Sequence, residues 1–434
     1  MDGSLARIFH TLSTLRNECL QATKEYAGPG NLTGITVWVY LDRSAGKILG
    51  REVLGANLID TTNWRLDSFA VTAKKKQRRK EGQPVIPQVA TETWQALSRE
   101  ADAFAKLEPW DWMWDDQILG LRDPKTGEKL LCSILGALQQ VHGLLVFRNQ
   151  AGHRFLLTTV LEDNPDQMLA DRNRGFDRDL LQVEFVSKAE LTSVDRRVFS
   201  SIGFSPSKSR GGRWPLFRSS FPGCYPWYLT QAEAEILLYV LPYVRAFSIY
   251  LRELAQPNIG VLESGIAFLV EDYDTTKRPM NAGDLKWETM LPPPAMPAEP
   301  IVIDSVTLES LRQLPQDTEC ELELDVSYLA FPCMAPDRPY FPNAALAIER
   351  DSGIICAHSC SDNTDRQGKN ALSSAFVSAL KKLHCRPGAI YVQHQRVADA
   401  LKSATSELDI ELIIDPQLLL LNSVREIFEQ SLRA

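Results

Sequence analysis

Leu5, Ile8, Leu12, Leu15 and Cys19 recur at spacings of three and four, so one apolar stripe predicts an N-terminal helix that ends before the breaker GPGN at 28 to 31. The period then changes. ITVWVYLDRSAGKILGREVLG, residues 35 to 55, reads as two strands turning at Asp42 to Gly46, where glycine supplies the positive backbone angle a tight turn often requires. A second helix is predicted around TWQALSREADAFAKL, followed by the tryptophan cluster PWDWMW at 109 to 114. From Ile118 to Leu161 the pattern predicts an antiparallel meander with turns at DPKTG and NQAG, then a strand over LLQVEFV and a helix near SVDRRVFSSIGF. A long helix is predicted from Thr230 to about Leu254. It opens on Thr230 and Glu233, a capping-box spacing in which each side chain satisfies a free backbone donor of the other.

LPPPAMPAEP, 291 to 300, forbids helix and interior strand and predicts an extended spacer. Beyond it the elements run strand CELELDVSYLAF, strand NAALAIER, strand IICAHSC, helix ALSSAFVSALKKL, strand AIYVQH, helix RVADALKSATSEL, strand IELIID and helix LLLLNSVREIFEQSL. Three strands followed by helix, strand, helix, strand, helix is the order of the ribonuclease H-like fold, a mixed sheet with helices on its faces. The fold class expected is therefore α+β or α/β and multi-domain. Residues 1 to 88 form an N-terminal α/β region, 89 to 290 a central domain built on an antiparallel sheet with the long helix, and 301 to 434 a ribonuclease H-like mixed domain.

Composition changes this picture little. The chain has 434 residues, 44% hydrophobic and 24% charged, with a net charge of -8, which fits a soluble globular protein and argues against wrapping nucleic acid over the whole surface. Eight cysteines are scattered without CxxC pairs behind a polar, charged start, so reduced thiols in the cytoplasm are expected. EILLYVLPYVRAFSIYLREL is interrupted by Pro242 and Arg245, and no membrane span is expected.

Candidate chemistry is sparse. A two-metal site of the ribonuclease H type needs carboxylates on the first strand, the fourth strand and a helix, because together they hold two Mg²⁺ ions around the scissile phosphate. Asp325 fills the first position, and Glu426 or Glu429 offers the helical one. The fourth strand ends in Gln393 and His394, and a neutral amide leaves the ions' charge uncompensated. Catalysis is therefore the alternative reading, with Mg²⁺ as cofactor only under it, and the leading expectation is no cofactor. Cys356, His358 and Cys360 alternate on one strand, but that spacing spreads them too widely for one tetrahedral zinc ion, and no metal site is expected. No phosphate-binding loop, dinucleotide-binding turn, zinc-protease pair or nucleophile elbow occurs.

Two stretches suggest binding. SKSRGGRWPLFRSSFPGCYPWYLT, 207 to 230, shows neither helical period nor clean alternation and reads as a loop with six aromatics and four basic side chains. Arg210, Arg213 and Arg218 interleaved with Trp214 could seat a nucleic-acid strand or an acidic protein segment, since guanidinium groups pair with phosphates and stack on rings. The simpler reading is a structural plug with its aromatics buried. The run KKKQRRK, with Lys74, Lys75, Lys76, Arg78 and Arg79, is a solvated basic loop in its simpler reading and an anionic-partner patch in the other.

LLQVEFVSKAEL, DRRVFSSIGF and above all RWPLFRSSFPGCYPWYLTQAEAEIL resemble an uncharacterised bacterial family grouped only as domains of unknown function. In that family a similar stretch precedes a long helix and a C-terminal part with a run like RPYFPNAALAIERDSG. PWDWMWDDQILGLRDPKTGEKLLCSILG resembles the companion domain found before it, so the resemblance covers roughly residues 90 to 430. It implies a bacterial protein with a recurring multi-domain layout and carries no activity. RPYFPNAALAIERDSG is also similar to the second and third strands of retroviral-integrase-like transposases, from whose catalytic acid Gln393 and His394 depart. The function expected is that of a binding protein with a non-catalytic ribonuclease H-like module; the alternative is a metal-dependent nuclease with an unusual carboxylate set.

Overall fold

The computed structural model describes residues 85–137, 141–161, 173, 175–207, 212–254, 266–270, 273–361, 365 and 367–425, and the backbone of 36–42 and 47–54. The helix expected over 5 to 19, the basic run 74 to 80, Arg210, Glu426 and Glu429 lie outside the described residues. The hairpin expected over 35 to 55 is present as β1 (Thr36–Asp42) paired antiparallel with β2 (Lys47–Leu54). Past it the chain divides into two compact units between Ala295 and Met296.

The first unit is built on seven strands: β3 (Leu119–Arg122), β4 (Lys129–Leu135), β5 (Gly143–Phe147), β6 (Leu180–Val186), β7 (Trp214–Ser220), β8 (Ile266–Leu269) and β9 (Leu285–Glu288), in spatial order β7-β6-β5-β4-β3-β8-β9. The sheet is mixed rather than purely antiparallel, because β3 and β8 run parallel. Its central strands are apolar on both faces. Leu130, Cys132, Ile134, Leu144 and Val146 point toward α1 (Thr91–Leu107) and the long α4 (Gln231–Glu253), while Leu131, Leu145 and Phe147 join Phe155, Leu156 and Leu157 of α2 (Asn149–Leu161). Helices on both faces explain why β4 and β5 read as near-continuous apolar runs.

Two elements differ from the sequence reading. HRFLLTTVL is not a strand of the meander but helix α2, for NQAG starts a helix instead of a turn: the Gly152 amide donates to the Arg148 carbonyl at 3.1 Å. Gly152 is required there, since a Cβ would stand 2.1 Å from the Asp179 carbonyl oxygen. The expected loop 207 to 230 contains β7, an edge strand paired antiparallel with β6 from Val186↔Trp214 to Leu180↔Ser220. Pro215 hid it from a propensity reading, and the edge position is where a sheet tolerates proline.

The long helix is capped as the sequence predicts, with Thr230 accepting from the Glu233 amide and the Glu233 carboxylate accepting from the Thr230 amide at 2.9 Å. By length and composition α4 is long enough and apolar enough to cross a membrane, with 39% of its most apolar window buried. Leu237, Leu241, Val244 and Phe247 lie in the core on its inner face.

The second unit holds α5 (Ser305–Arg312), β10 (Gln316–Tyr328), β11 (Asn343–Glu349), β12 (Ile355–Ser361), α6 (Lys369–Leu383), β13 (Arg386–Val392), α7 (Gln395–Glu407), β14 (Glu411–Ile414) and helical backbone over 419–425. Its sheet runs β12-β11-β10-β13-β14, antiparallel among the first three strands and parallel from β10 through β13 to β14. One face packs Leu322, Leu324, Val326, Ile390 and Val392 against Phe376 and Leu380 of α6 and Leu401 of α7. On the other, Leu346, Ile348 and Ile355 meet Leu418, Leu421 and Val424. Between Leu291 and Met296 no regular structure forms, and both end residues are exposed; beyond them the chain docks on its own unit, the Ile301 amide donating to the Ala400 carbonyl at 3.0 Å.

Candidate functional site

Side chains on a strand alternate between faces, so Leu322, Leu324 and Val326 facing one core puts Glu321, Glu323 and Asp325 on the opposite face of β10. Glu323 and Asp325 are 1% and 0% exposed. Burying carboxylates is costly unless each is paired or hydrogen-bonded. The compensation comes from two arginines and the helix over 419–425.

Arg425 donates from Nη1 and Nη2 to one oxygen of Asp325, both at 3.1 Å, and its side chain is only 4% exposed. The other Asp325 oxygen, Oδ1, has no hydrogen-bond partner among the described residues. Glu323 accepts from the Leu421 amide at 2.8 Å. Arg350 lies 3.6 Å from each of Glu321, Glu323 and Asp415, and its guanidinium covers the Tyr391 ring at 3.9 Å from the centroid. Tyr391 in turn donates to Glu321 at 3.0 Å. Burial pushes the Glu323 carboxyl above its ordinary range and Asp415 adds to this, against the Leu421 amide and Arg350, which favour the charged form. Gln393, on the fourth strand's end, is buried and donates from Nε2 to the Pro416 carbonyl at 3.0 Å.

The face is thus a set of acids answered by fixed cations. Asp325 is where the sequence reading placed it, and its charge is answered by Arg425, immediately before Glu426 in the helix expected to supply a second acid. Sequence reasoning missed Glu323, Arg350 and Arg425. Glu323 was available from the alternation Glu321, Glu323, Asp325; the arginines were not, since nothing local shows which cation crosses to β10. Cys356 is buried in the core while Cys360 is exposed, and no group of three metal-ligating residues forms among the described residues.

Of the residues expected to bind an anion, the described ones, Arg213, Trp214 and Arg218, all have partners in the first unit. Arg218 on β7 pairs with both oxygens of Asp195, at 2.9 and 2.7 Å, and lies over the Tyr228 ring, 4.7 Å from its centroid. Asp195 is held there because it completes the capping box of α3 (Ser193–Ser201) with Thr192. Arg218 thus has its planar fork filled by one carboxylate. Arg213 hydrogen-bonds to Nδ1 of His142, a buried ring whose pKa burial and Arg213 together hold down to about 4. Trp214 packs among Phe199, Phe204 and Lys188, with ring centroids 5.4 Å and 6.0 Å from the two phenylalanines. Trp227 bridges to Ser219 through paired backbone hydrogen bonds of 2.8 Å and donates from Nε1 to the Val85 carbonyl at 3.2 Å.

One further acid stands out. Asp115 is 1% exposed, neither carboxyl oxygen has a hydrogen-bond partner among the described residues, and burial pushes its pKa up to about 7, with the neighbouring Asp116 adding to the rise.

No curated protein and no solved structure matches the chain. Two family models do: residues 94–261 match a domain of unknown function (DUF7309), and residues 307–429 match another domain of unknown function (DUF6930), one match falling in each compact unit.

Proposed function

We propose that this is a cytoplasmic bacterial binding protein whose second unit follows the ribonuclease H-like plan without its two-metal chemistry. The strand order β12-β11-β10-β13-β14, with β10 central, β10, β11 and β12 successively antiparallel and β13 parallel to β10, supports the plan. The observation that carries the non-catalytic reading is the Asp325–Arg425 pair. Divalent ions of this chemistry bind through first-strand carboxylate oxygens, and a guanidinium already holds the one Asp325 oxygen that has a partner. An ion entering there would meet a fixed positive charge, and Gln393 brings no negative charge to offset it.

The partner proposed is anionic. Arg218 is engaged inside the fold and Arg213, though exposed, is hydrogen-bonded to His142, so this reading rests on Arg210 and on Lys74, Lys75, Lys76, Arg78 and Arg79. Purified full-length protein incubated with single- and double-stranded DNA and RNA in Mg²⁺ or Mn²⁺ should cleave none of them; cleavage that disappears in Asp325→Asn would overturn the non-catalytic reading. Retention of nucleic acid or of an acidic peptide, weakening steeply with salt and lost when the five basic residues of 74 to 79 are replaced by serine, is the positive result. Binding unchanged by that replacement refutes the basic run's role.

A further inference from the structure

β7 and β9 are the two edges of the seven-stranded sheet, and they are finished differently. An open edge offers unpaired backbone groups to any other strand, so folds usually blunt it. On β7 the outward positions are closed: Pro215 has no N–H to offer, and Ser219 exchanges backbone hydrogen bonds of 2.8 Å with Trp227. β9, Leu285–Glu288, contains no proline, and among the described residues no strand pairs with its outer side.

The register fixes which backbone groups of β9 face out. β8 and β9 pair antiparallel as Ala267↔Trp287 and Phe268↔Lys286, and just past the strand ends the Val270 amide donates to the Asp284 carbonyl at 2.8 Å. The Ala267 amide points the other way, donating to the Ile118 carbonyl beside β3 at 3.3 Å. Backbone groups alternate in direction along a strand, so Lys286 and Glu288 turn theirs to β8 and Trp287 turns its N–H and C=O outward. The side chains around that point form a charge palindrome. Lys286 is exposed, Trp287 is 39% exposed and Glu288 half-buried, and Lys286 and Glu288 share one face, 3.2 Å apart.

We propose that β9 pairs antiparallel with β9 of a second copy of this chain about a two-fold axis at Trp287, so that two seven-stranded sheets run on as one. Trp287 and the partner's Trp287 then exchange N–H and C=O groups, which requires both to face outward, as the register has them. Lys286 faces the partner's Glu288, and Glu288 faces the partner's Lys286. These charges fall at the closely spaced, non-hydrogen-bonded positions of the ladder, where opposite charges stabilise and like charges repel. Any strand could share the hydrogen bonds, but the order Lys-Trp-Glu is complementary to its own reverse, and that selects a second copy. With four residues from each chain the contact is small, so the dimer is weak, with a Kd on the order of 10 µM.

Sedimentation velocity of the full-length protein from about 1 to about 300 µM should show the mass rise from monomer to dimer and no further. Lys286→Glu and Glu288→Lys each set like charges against one another twice and should weaken association roughly tenfold or more. An equimolar mixture of the two variants restores opposite charges across the axis and should pair as readily as the parent, as should the double variant. Because Glu288 also pairs with Lys129, at 3.1 Å, Trp287→Pro serves as a variant that leaves this bond alone. It removes an N–H that β8 does not use, so its circular dichroism should match the parent's while association is lost. A protein that stays monomeric over the whole range, association unchanged by Lys286→Glu or Trp287→Pro, or a mixture of two folded single variants that remains monomeric overturns the proposal. Should Glu288→Lys fail to fold, Lys286→Glu and Trp287→Pro decide the matter.

Discussion

Arg218 holds Asp195 by two parallel hydrogen bonds, and Asp195 in the same geometry caps the helix that begins one residue after Thr192. A strand and a helix are thereby joined through one carboxylate, with the side chains only 13% and 10% exposed. The Arg218 pKa is raised by this partner against the opposing effect of burial, and that of Asp195 is lowered likewise. Arg218→Ala leaves a buried carboxylate unpaired and should cost about 3–5 kcal/mol. Arg218→Met with Asp195→Leu should lose less than the two single changes summed. Urea unfolding of the three variants measures the coupling, and additive losses would mean the pair contributes nothing.

Aromatic packing gives a second outcome. Trp214→Ala removes a ring wedged between Phe199 and Phe204 and should cost on the order of 3 kcal/mol. Arg213→Ala should leave stability nearly as it was, because the residue is exposed and its partner His142 is held neutral. Thermal melting of both separates the plug from a purely surface role: a Trp214 variant as stable as the parent contradicts the plug.

Two buried groups set opposing pH dependences. Asp115 has a folded pKa of about 7 against an ordinary 3.8, so the folded state holds a proton that the unfolded state releases, and stability is lost as pH rises from about 4 to about 7. His142 has a folded pKa of about 4 against 6.5, so its contribution is complete above 6.5 and is lost as pH falls toward 4. Asp115→Asn should therefore be more stable than the parent at pH 8, with the difference closing below pH 4. The advantage of the parent over His142→Gln should shrink between pH 6.5 and 4. Chemical unfolding at five pH values tests both, and a flat difference for Asp115→Asn would mean its carboxyl is hydrated.

The spacer between the units narrows a proteolysis prediction. Ala298 and Ile301 already pack on the second unit's core, and Met290 packs on the first. Mild digestion should cut within 291 to 296 and release a folded fragment beginning near Met296. N-terminal sequencing of the fragment locates the cut; a chain intact there under conditions that trim other loops would contradict an accessible spacer.

Much of the architecture was legible because its signals are local. Thr230 and Glu233 announce a helix start by spacing alone, and the alternation in CELELDVSYLAF gives β10 together with the face its acids share. What was not legible depends on distant partners. HRFLLTTVL is apolar enough for strand or helix, and the choice is made by Gly152 packing on the backbone of Asp179. WPLFRSS is a strand because β6 offers it an edge, a fact absent from its own composition. Arg218 looked available to a ligand because Asp195, which occupies it, lies 23 positions away.

The Asp325–Arg425 pair also sets an order of events in folding. The two residues are 100 positions apart, so while the chain is being synthesised the central strand of the second sheet carries an acid whose counter-charge has not yet emerged. Until it does, Asp325 is better left in water than buried, and one face of β10 has reason to stay open. The hydrophobic face against α6 and α7 can condense without it, whereas the acidic face closes only with the helix over 419–425. The sheet should therefore mature one side at a time, and a ribosome-bound chain stopped short of residue 425 should expose its acidic side to solvent.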